Sequence, residues 1–374
     1  MRRHAQRRGK VKSDKGIVLL IVLWILVILS LLAVGIGRKA SVDLSLAKYY
    51  VGKLKSDHLA RAGVHYAMQK IQEDAKDPVT AAVDTLVQCG VKLEEGQAPQ
   101  EVFARIPLGE GYFNIGYTAP AETAQSPLAD SAEKKFYYGF ADEERRVNIN
   151  ALGPQDYRIL KYLMIGMGVE ESLAEEIAAA TLDWKDPDSD ATNSPQGAED
   201  EYYKGLTPAY GCKNMPFESL EEVLLVKKMT PEIFEKIKNF ITIYPKESGI
   251  IKININTAPT VVIEALGYNI VDYIPNFSRE DVASMTEKII RYRQGSDEVP
   301  MTEDDQPVDL TRQEDLNLTT PEQTMFLNVR GRLTAQSRYF RIEARGVDET
   351  SAVASTMETV VDARDLSILY WKKG

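Results

Sequence analysis

Histidine and cysteine are nearly missing from this sequence. The three histidines, His4, His58 and His65, all come early, and 309 residues follow without an imidazole. No Ser-His-Asp or Cys-His arrangement, and no histidine-ligated metal, can be assembled from that stretch alone. Two cysteines, Cys89 and Cys212, exclude a disulfide-dense scaffold and an all-cysteine zinc site. The sequence leaves open whether they pair. Glycine (24) and proline (17) are in ordinary supply, so collagen-like and wholly disordered chains are out. What is plentiful is acid. The 374 residues carry a net charge of -10, yet the first 16 hold seven basic residues and one acid. The rest therefore has 38 basic against 54 acidic residues. Such a body repels polyphosphate and favours cations. The length exceeds one ordinary domain and predicts two, or one with a large insertion.

Charge vanishes altogether from Ile17 to Gly37, IVLLIVLWILVILSLLAVGIG. These 21 residues are long enough to cross a hydrocarbon core of about 30 Å as a helix. The basic residues before them predict a cytoplasmic N-terminus and an exported body. A secretory signal peptide is the competing reading, with small residues at Ala33–Gly35, but its apolar region is normally shorter. A basic leader ending in Lys15-Gly16 before a hydrophobic helix resembles a type IV pilin-like leader. That resemblance implies cleavage by prepilin peptidase between Gly16 and Ile17, with retention of the helix and methylation of Ile17. Beyond Arg38, Leu44, Ala47, Val51 and Leu54, then Val64, Met68 and Ile71, keep helical spacing, and no proline intervenes before Pro78.

Aromatic, alternating segments predict strands at 111–118, 135–141, 325–333, 337–345 and 352–362, whereas 147–322 reads largely helical. That order is an α+β chain: a small sheet interrupted by an α-helical insertion. Within the insertion Val147-Asn148-Ile149-Asn150 is echoed by Ile253-Asn254-Ile255-Asn256. Asn150, and Asn256 or Thr257, are candidate caps for the helix that follows each copy. Second helices are expected at 173–182 and 279–293. The repeat resembles the helix-hairpin-helix units of DNA-binding proteins. Yet Glu170, Glu171, Glu175 and Glu176 follow Gly166-Met167-Gly168 and would repel a phosphate, so the repeat reads as a packing unit.

Residues 183–201, DWKDPDSDATNSPQGAEDE, place seven acids against one lysine. Asp186, Asp188 and Asp190 alternate as oxygen ligands do at the start of a calcium loop, but Ala191 and Gly197 replace two obligatory EF-hand positions. Glu199 and Asp200 can return to the same point. Pro187, Pro195, Trp184, Tyr202 and Tyr203 favour an ordered loop over a solvated one, and packed, unpaired carboxylates would be costly. A second acidic run, 298–309, reads as solvated.

The segments GIVLLIVLWILVILSLLA, FADEERRVNINAL, TLDWKDPDSD, GAEDEYY, YGCKNMPFESLEEVL and ININTAP, with Trp371 in a final strand, occur in order over nearly the whole chain. In combination they resemble the general secretion pathway protein K family, the large minor pseudopilins of bacterial type II secretion. The resemblance implies a pilin-like fold, a long N-terminal helix packed on a small antiparallel sheet, carrying a large inserted α-helical domain. The chain then divides into a leader (1–16), a transmembrane helix (17–37), a pilin-like domain (38–146 and 323–374) and an insertion with a calcium loop (147–322). Calcium ligands carried over by position are Asp186, Asp188, Glu199 and Asp200, with Asp183 possible and Asp190 outside the motif. A second calcium of the family has no assigned position here. Ile21 stands where most pilin-like proteins have a glutamate, and the absence of that glutamate is, by the same resemblance, a mark of the K component.

The implied function is non-enzymatic. The protein would cap the tip of the periplasmic pseudopilus and support export of folded proteins across the outer membrane. Its implied partners are the I and J minor pseudopilins, the major pseudopilin, prepilin peptidase and the inner-membrane secretion machinery, with no nucleic acid. It would be anchored in the inner membrane by one helix, with its body in the periplasm. Two alternatives are a membrane-anchored DNA-uptake protein, supported only by the Asn repeats, and an anchored hydrolase. The hydrolase lacks two separated carboxylates flanking a cleft.

Overall fold

The structure is a computed structural model describing residues 15–94, 96–120, 134–246, 249–274, 277–302 and 304–374. Residues 1–14 of the basic leader and residues 121–133 lie outside them. Helix α1 runs Lys15–Asp74, unbroken for 60 residues. At 1.5 Å per residue it is about 90 Å long. Its apolar first part, exposed throughout, is long and apolar enough to cross a membrane. Among the described residues, only the second half meets the rest of the chain, through Gly52, Ser56, Leu59, Ala60, Val64, Ala67 and Ile71, one turn apart on one face. The stripe at Leu44, Val51 and Leu54 stays exposed.

After α2 (Pro99–Phe103), the chain forms β1 (Ile106–Leu108), β2 (Gly111–Pro120), β3 (Lys134–Tyr138) and β4 (Ala141–Asp142). The insertion begins with β5 (Val147–Asn148), α3 (Arg158–Gly166), α4 (Glu171–Asp183), α5 (Asp200–Lys204), α6 (Pro231–Ile237) and β6 (Ile241–Thr242). It continues through β7 (Ile253–Asn254), α7 (Thr260–Val271), α8 (Arg279–Arg293), α9 (Thr320–Val329) and β8 (Leu333–Thr334). The last strands are β9 (Tyr339–Asp348), β10 (Val353–Asp362) and β11 (Ile368–Lys373).

The sheet order is β1-β2-β9-β10-β11, with β3 on β2 and β4 on β9, all antiparallel. Strands from both ends of the chain thus build one sheet, and α1 lies across it. Gly346 makes that approach possible. A Cβ there would stand 2.3 Å from the Ser56 carbonyl oxygen and 2.4 Å from the Ala60 nitrogen, both helix backbone. This is the pilin-like arrangement, with the helical insertion entering between β4 and β9.

The strand expected at 325–333 is instead α9. Thr319 and Glu322 form a reciprocal capping box, and Pro321 sits in the first turn, so the helix start overrides the alternation that follows. The helical part consequently extends past residue 322, to a short 3-10 turn at Arg330–Arg332.

The Asn repeat shares its accepting hydrogen bonds between the two copies. The side chains of Asn148 and Asn254 accept the N–H of Asn150 and Asn256, at 2.9 Å in each copy. Asn150 Oδ1 then accepts the N–H of Phe217, and Asn256 Oδ1 that of Val308. Each copy opens a unit closed by a parallel two-residue bridge, β5 to β6 and β7 to β8. The second asparagines are therefore pins for distant segments and not the helix caps expected of them. The residue preceding α7 is Pro259, and α3 begins only at Arg158. The two hairpins, α3–α4 and α7–α8, pack on each other. A Cβ on Gly166 would lie 2.6 Å from Val261, and one on Gly267 2.6 Å from Val282. These glycines serve close helix packing, and the turn amides are spent internally: Gly168 N–H donates to the Ile165 carbonyl and Val169 N–H to that of Met164, both at 2.9 Å.

Sheet and insertion are joined by the run Asp142-Glu143-Glu144-Arg145-Arg146, in which Asp142, Glu143 and Arg145 are buried and the other two half-buried. Glu143, fully buried, accepts from Arg146 at 3.1 Å, from Arg341 at 2.5 Å and from the Thr242 hydroxyl. Burial opposes its charge, but the two guanidiniums prevail and hold its carboxyl down at about 2. Asp84 and Glu144 go the other way. Burial, with the like charge of Asp142 beside both, pushes each up to about 8. Asp84 takes the N–H groups of Gly90 and Ser337, and Glu144 those of Arg338 and Tyr339.

The sign of the resulting pH effect follows. In the unfolded chain these two acids titrate near 4, whereas the folded chain keeps their protons to about 8. Their contribution to stability is full below about pH 4 and is lost as pH rises through about 8. Glu143 has the opposite sign, but its contribution is lost only in acid, as pH falls through about 2. In saturating calcium, the melting midpoint of the protein in detergent should fall between pH 6 and 8.5. It should fall less in Glu144→Gln. Superimposable profiles for the two would count against this assignment.

Candidate metal centre

Helix α4 starts cleanly because Glu170 caps it, accepting the N–H groups of Ser172 and Leu173. Its alanine-rich face packs into the insertion core and it ends at Asp183, which is completely buried. The loop that follows is built around that residue. Asp183 Oδ1 accepts Thr192 N–H at 2.9 Å, and Oδ2 accepts Ala198 N–H at 2.6 Å. Gly197 is needed here, because a Cβ would meet Asp183 Oδ2 at 2.1 Å and the Thr192 backbone at 2.7 Å. The aromatic floor is Trp184 edge-on to Tyr203 at 5.1 Å, with Tyr210 5.4 Å from Tyr203.

On this frame Asp186, Asp188 and Glu199 converge, each offering an oxygen within 4.8 Å of the others. Glu199 precedes α5 but does not cap it. It is only 8% exposed, and neither of its oxygens has a hydrogen-bond partner. Asp186 Oδ1 is likewise buried and unpartnered. Burial and the neighbouring aspartates push Glu199 up to about 7. Burial, then Asp188 and Asp183, push Asp186 up to about 6. A buried carboxylate with no donor normally costs several kcal/mol, roughly 1–3 for an ordinary unmade hydrogen bond and more for a charge. These groups fit a cation. An all-oxygen, three-carboxylate set suits calcium, whose shell of about 6–8 oxygens would take further carbonyls and water.

The other sequence candidates are placed differently. Asp183 anchors the loop with both oxygens already engaged. Asp200 turns away from the cluster. Its Oδ1 accepts Cys212 N–H at 2.8 Å and its Oδ2 accepts from Lys204 at 2.6 Å. Consecutive residues at a helix start diverge, so Glu199 and Asp200 do not act as a pair. Asp190 is exposed, and its N–H donates to Asp188 Oδ1 at 2.9 Å. In the second acidic run, Asp304 is taken by Ser296, Asp297 and Thr302. Cys89 and Cys212 are both free. Sequence reasoning missed Lys227, whose ammonium donates to the carbonyls of Pro195, Gln196 and Gly197. No local motif marks it, because its partners lie 30 to 32 residues away.

Residues 145–246 match the first domain of the family model for type II secretion system protein K. This span begins in the buried junction and covers the first Asn unit, including the acidic loop. Over this span the chain is similar to protein K of type II secretion. It is 30% identical over 101 residues to type II secretion system protein K of Aeromonas hydrophila, covering 27% of this chain and 30% of that protein. It is 23% identical over 246 residues to protein K of Klebsiella pneumoniae, covering 65% and 66% respectively. The matched segments thus span less than two thirds of these relatives' lengths. Among solved structures, a chain of the GspK-GspI-GspJ complex from the enterotoxigenic Escherichia coli type 2 secretion system aligns with a TM-score of 0.56 at 16% identity. That alignment covers 90% of this chain and 99% of the other. It shows a shared fold: long helix, antiparallel sheet and inserted helical domain.

Proposed function

We propose that this protein is the K-type minor pseudopilin of a type II secretion system, capping the periplasmic pseudopilus and supporting export of folded proteins across the outer membrane. The observation that carries this reading is the protein K domain seated in a pilin-like sheet on a helix whose first half touches nothing else among the described residues. Such a helix needs lipid over Ile17–Gly37 and other protein beyond it. The I and J minor pseudopilins, the components named with protein K in the solved complex, are the partners proposed for it. The major pseudopilin, prepilin peptidase and the inner-membrane secretion machinery complete the proposed set. The same reading orients the chain, with its N-terminus cytoplasmic, its helix in the inner membrane and its body periplasmic. Cleavage between Gly16 and Ile17 removes the basic leader and keeps the helix.

The role is structural, with no reaction assigned. Calcium at Asp186, Asp188 and Glu199 serves to hold the insertion together. Ile21 supports a terminal position. In pilin-like bundles a glutamate at that place is held to neutralise a neighbour's buried N-terminal ammonium. An unpaired buried charge is expensive, and Ile21 offers no acceptor to another copy. The DNA-uptake reading is not favoured, because the Gly168 and Val169 amides are bonded within the hairpin and Glu170 and Glu171 flank the turn. Deleting this chain from its own cells should strand exported proteins in the periplasm, and the wild-type chain should restore their release. Undiminished release without it would contradict the proposal.

A further inference from the structure

Lys227 follows a 3-10 turn at Leu220–Leu225, well away in sequence from the acidic loop. Its ammonium is 3.1 Å from the carbonyl oxygen of Pro195, 2.9 Å from that of Gln196 and 3.1 Å from that of Gly197. All three of its protons thus go to three consecutive carbonyls. The side chain is only 10% exposed, lies 3.7 Å from Glu176 and stands 5.3 Å over the Tyr202 ring. Its own N–H donates to the Tyr203 hydroxyl. The loop is therefore gripped twice. Asp183 holds residues 192 and 198 from below, and Lys227 holds 195–197 from the side. Glu199 is the next residue but one, and nothing else ties its carboxylate in place.

We propose that Lys227 is a positioning residue for the cation site. Its ammonium fixes the carbonyls of 195–197, so that Glu199 already faces Asp186 and Asp188 before a cation arrives. The inference rests on the calcium reading above. It makes a prediction opposite to simple electrostatics. Removing a positive charge from the loop that carries the carboxylates should, if it acts at all, tighten cation binding by Coulomb's law. Removing a clamp that pre-forms the loop should weaken it, since the ion must then supply the ordering itself.

The test is calcium titration of the full-length protein in detergent by calorimetry. Terbium luminescence excited through tryptophan provides a second readout, Trp184 being in the loop. Lys227→Met keeps the stem and removes the donors. Its calcium affinity should fall about 10–100-fold, the range seen when a group that orients a metal ligand is lost. Lys227→Arg, which keeps charge and donors, should recover most of the affinity. Lys227→Gln, a milder change with fewer donors, should fall between, and it stands in if the Met variant does not fold. Met and Gln variants that bind calcium as tightly as the wild type, or more tightly, would overturn the clamp while leaving calcium binding intact. A wild-type protein that binds neither calcium nor terbium would overturn the calcium reading and the clamp with it.

Discussion

Chelating calcium should lower the melting midpoint of the full-length protein by about 3–4 °C. At a free concentration 100 times the dissociation constant, a ligand bound only by the folded state adds about 2.7 kcal/mol. A chain of 374 residues, with an unfolding entropy of about 2.1 cal/mol/K per residue, shifts by about 1.3 °C per kcal/mol. The physical source is the convergence of Asp186, Asp188 and Glu199, with the Glu199 oxygens buried and unpartnered. Without an ion these groups repel each other or hold protons. With one, the same repulsion becomes ligation. The variant Glu199→Gln gives the assignment a distinctive signature. It should lose most of the calcium response, yet in chelator it should be at least as stable as the wild type, because a repelling charge has gone. Scanning fluorimetry with calcium or chelator reads both effects. Equal midpoints for the wild type under the two conditions would remove the structural ion.

Glu143→Ala should be the most damaging single change outside the metal loop, costing about 3–5 kcal/mol. The loss is not that of an ordinary surface pair. Glu143 is fully buried and accepts from Arg146, Arg341 and Thr242, while Arg341 also binds Glu358 on the sheet at 2.5 Å. Deleting the carboxylate leaves the part-buried Arg146 and Arg341 guanidiniums where sheet and insertion meet with only Glu358, on Arg341, among the described residues to offset them. Thermal unfolding in detergent, with saturating calcium, measures the cost. Pairing Glu143→Ala with Arg341→Met should recover part of it, since the second change removes one stranded charge. A drop below about 1 kcal/mol in the single variant, the scale of an exposed pair, would show that this junction is not what joins the two parts.

Different parts of this molecule were legible in the sequence to different degrees, and the reasons are local range and chain separation. Helix α1 was readable because its signal is continuous: an uncharged run, then a helical stripe, with no proline before Pro78. Strands β9 and β10 were readable from alternation in segments half-covered by α1. Residues 325–333 were misread because FLNVRGRL alternates plausibly, while the deciding signal lay just upstream in Thr319, Pro321 and Glu322. The roles of Asn150 and Asn256 could not be read locally. Their partners, Phe217 and Val308, are 67 and 52 residues away. Within the acidic loop the Asp186–Asp188 alternation survived as geometry, and Glu199 joined it as the composition indicated. Asp200 did not, because its neighbours Lys204 and Cys212 claim both its oxygens.

The central claim is assembly: an exposed helix on a pilin-like body that joins other pseudopilins at a tip and does not polymerise alone. The most direct measurement is co-expression of the full-length chain with the I and J minor pseudopilins of its own system. The assembly is then purified through one tag in detergent, and this chain alone is viewed by electron microscopy. The account predicts one stable complex containing all three proteins and no fibres from this chain by itself. Homopolymeric fibres of this chain, or its purification free of both partners, would contradict it.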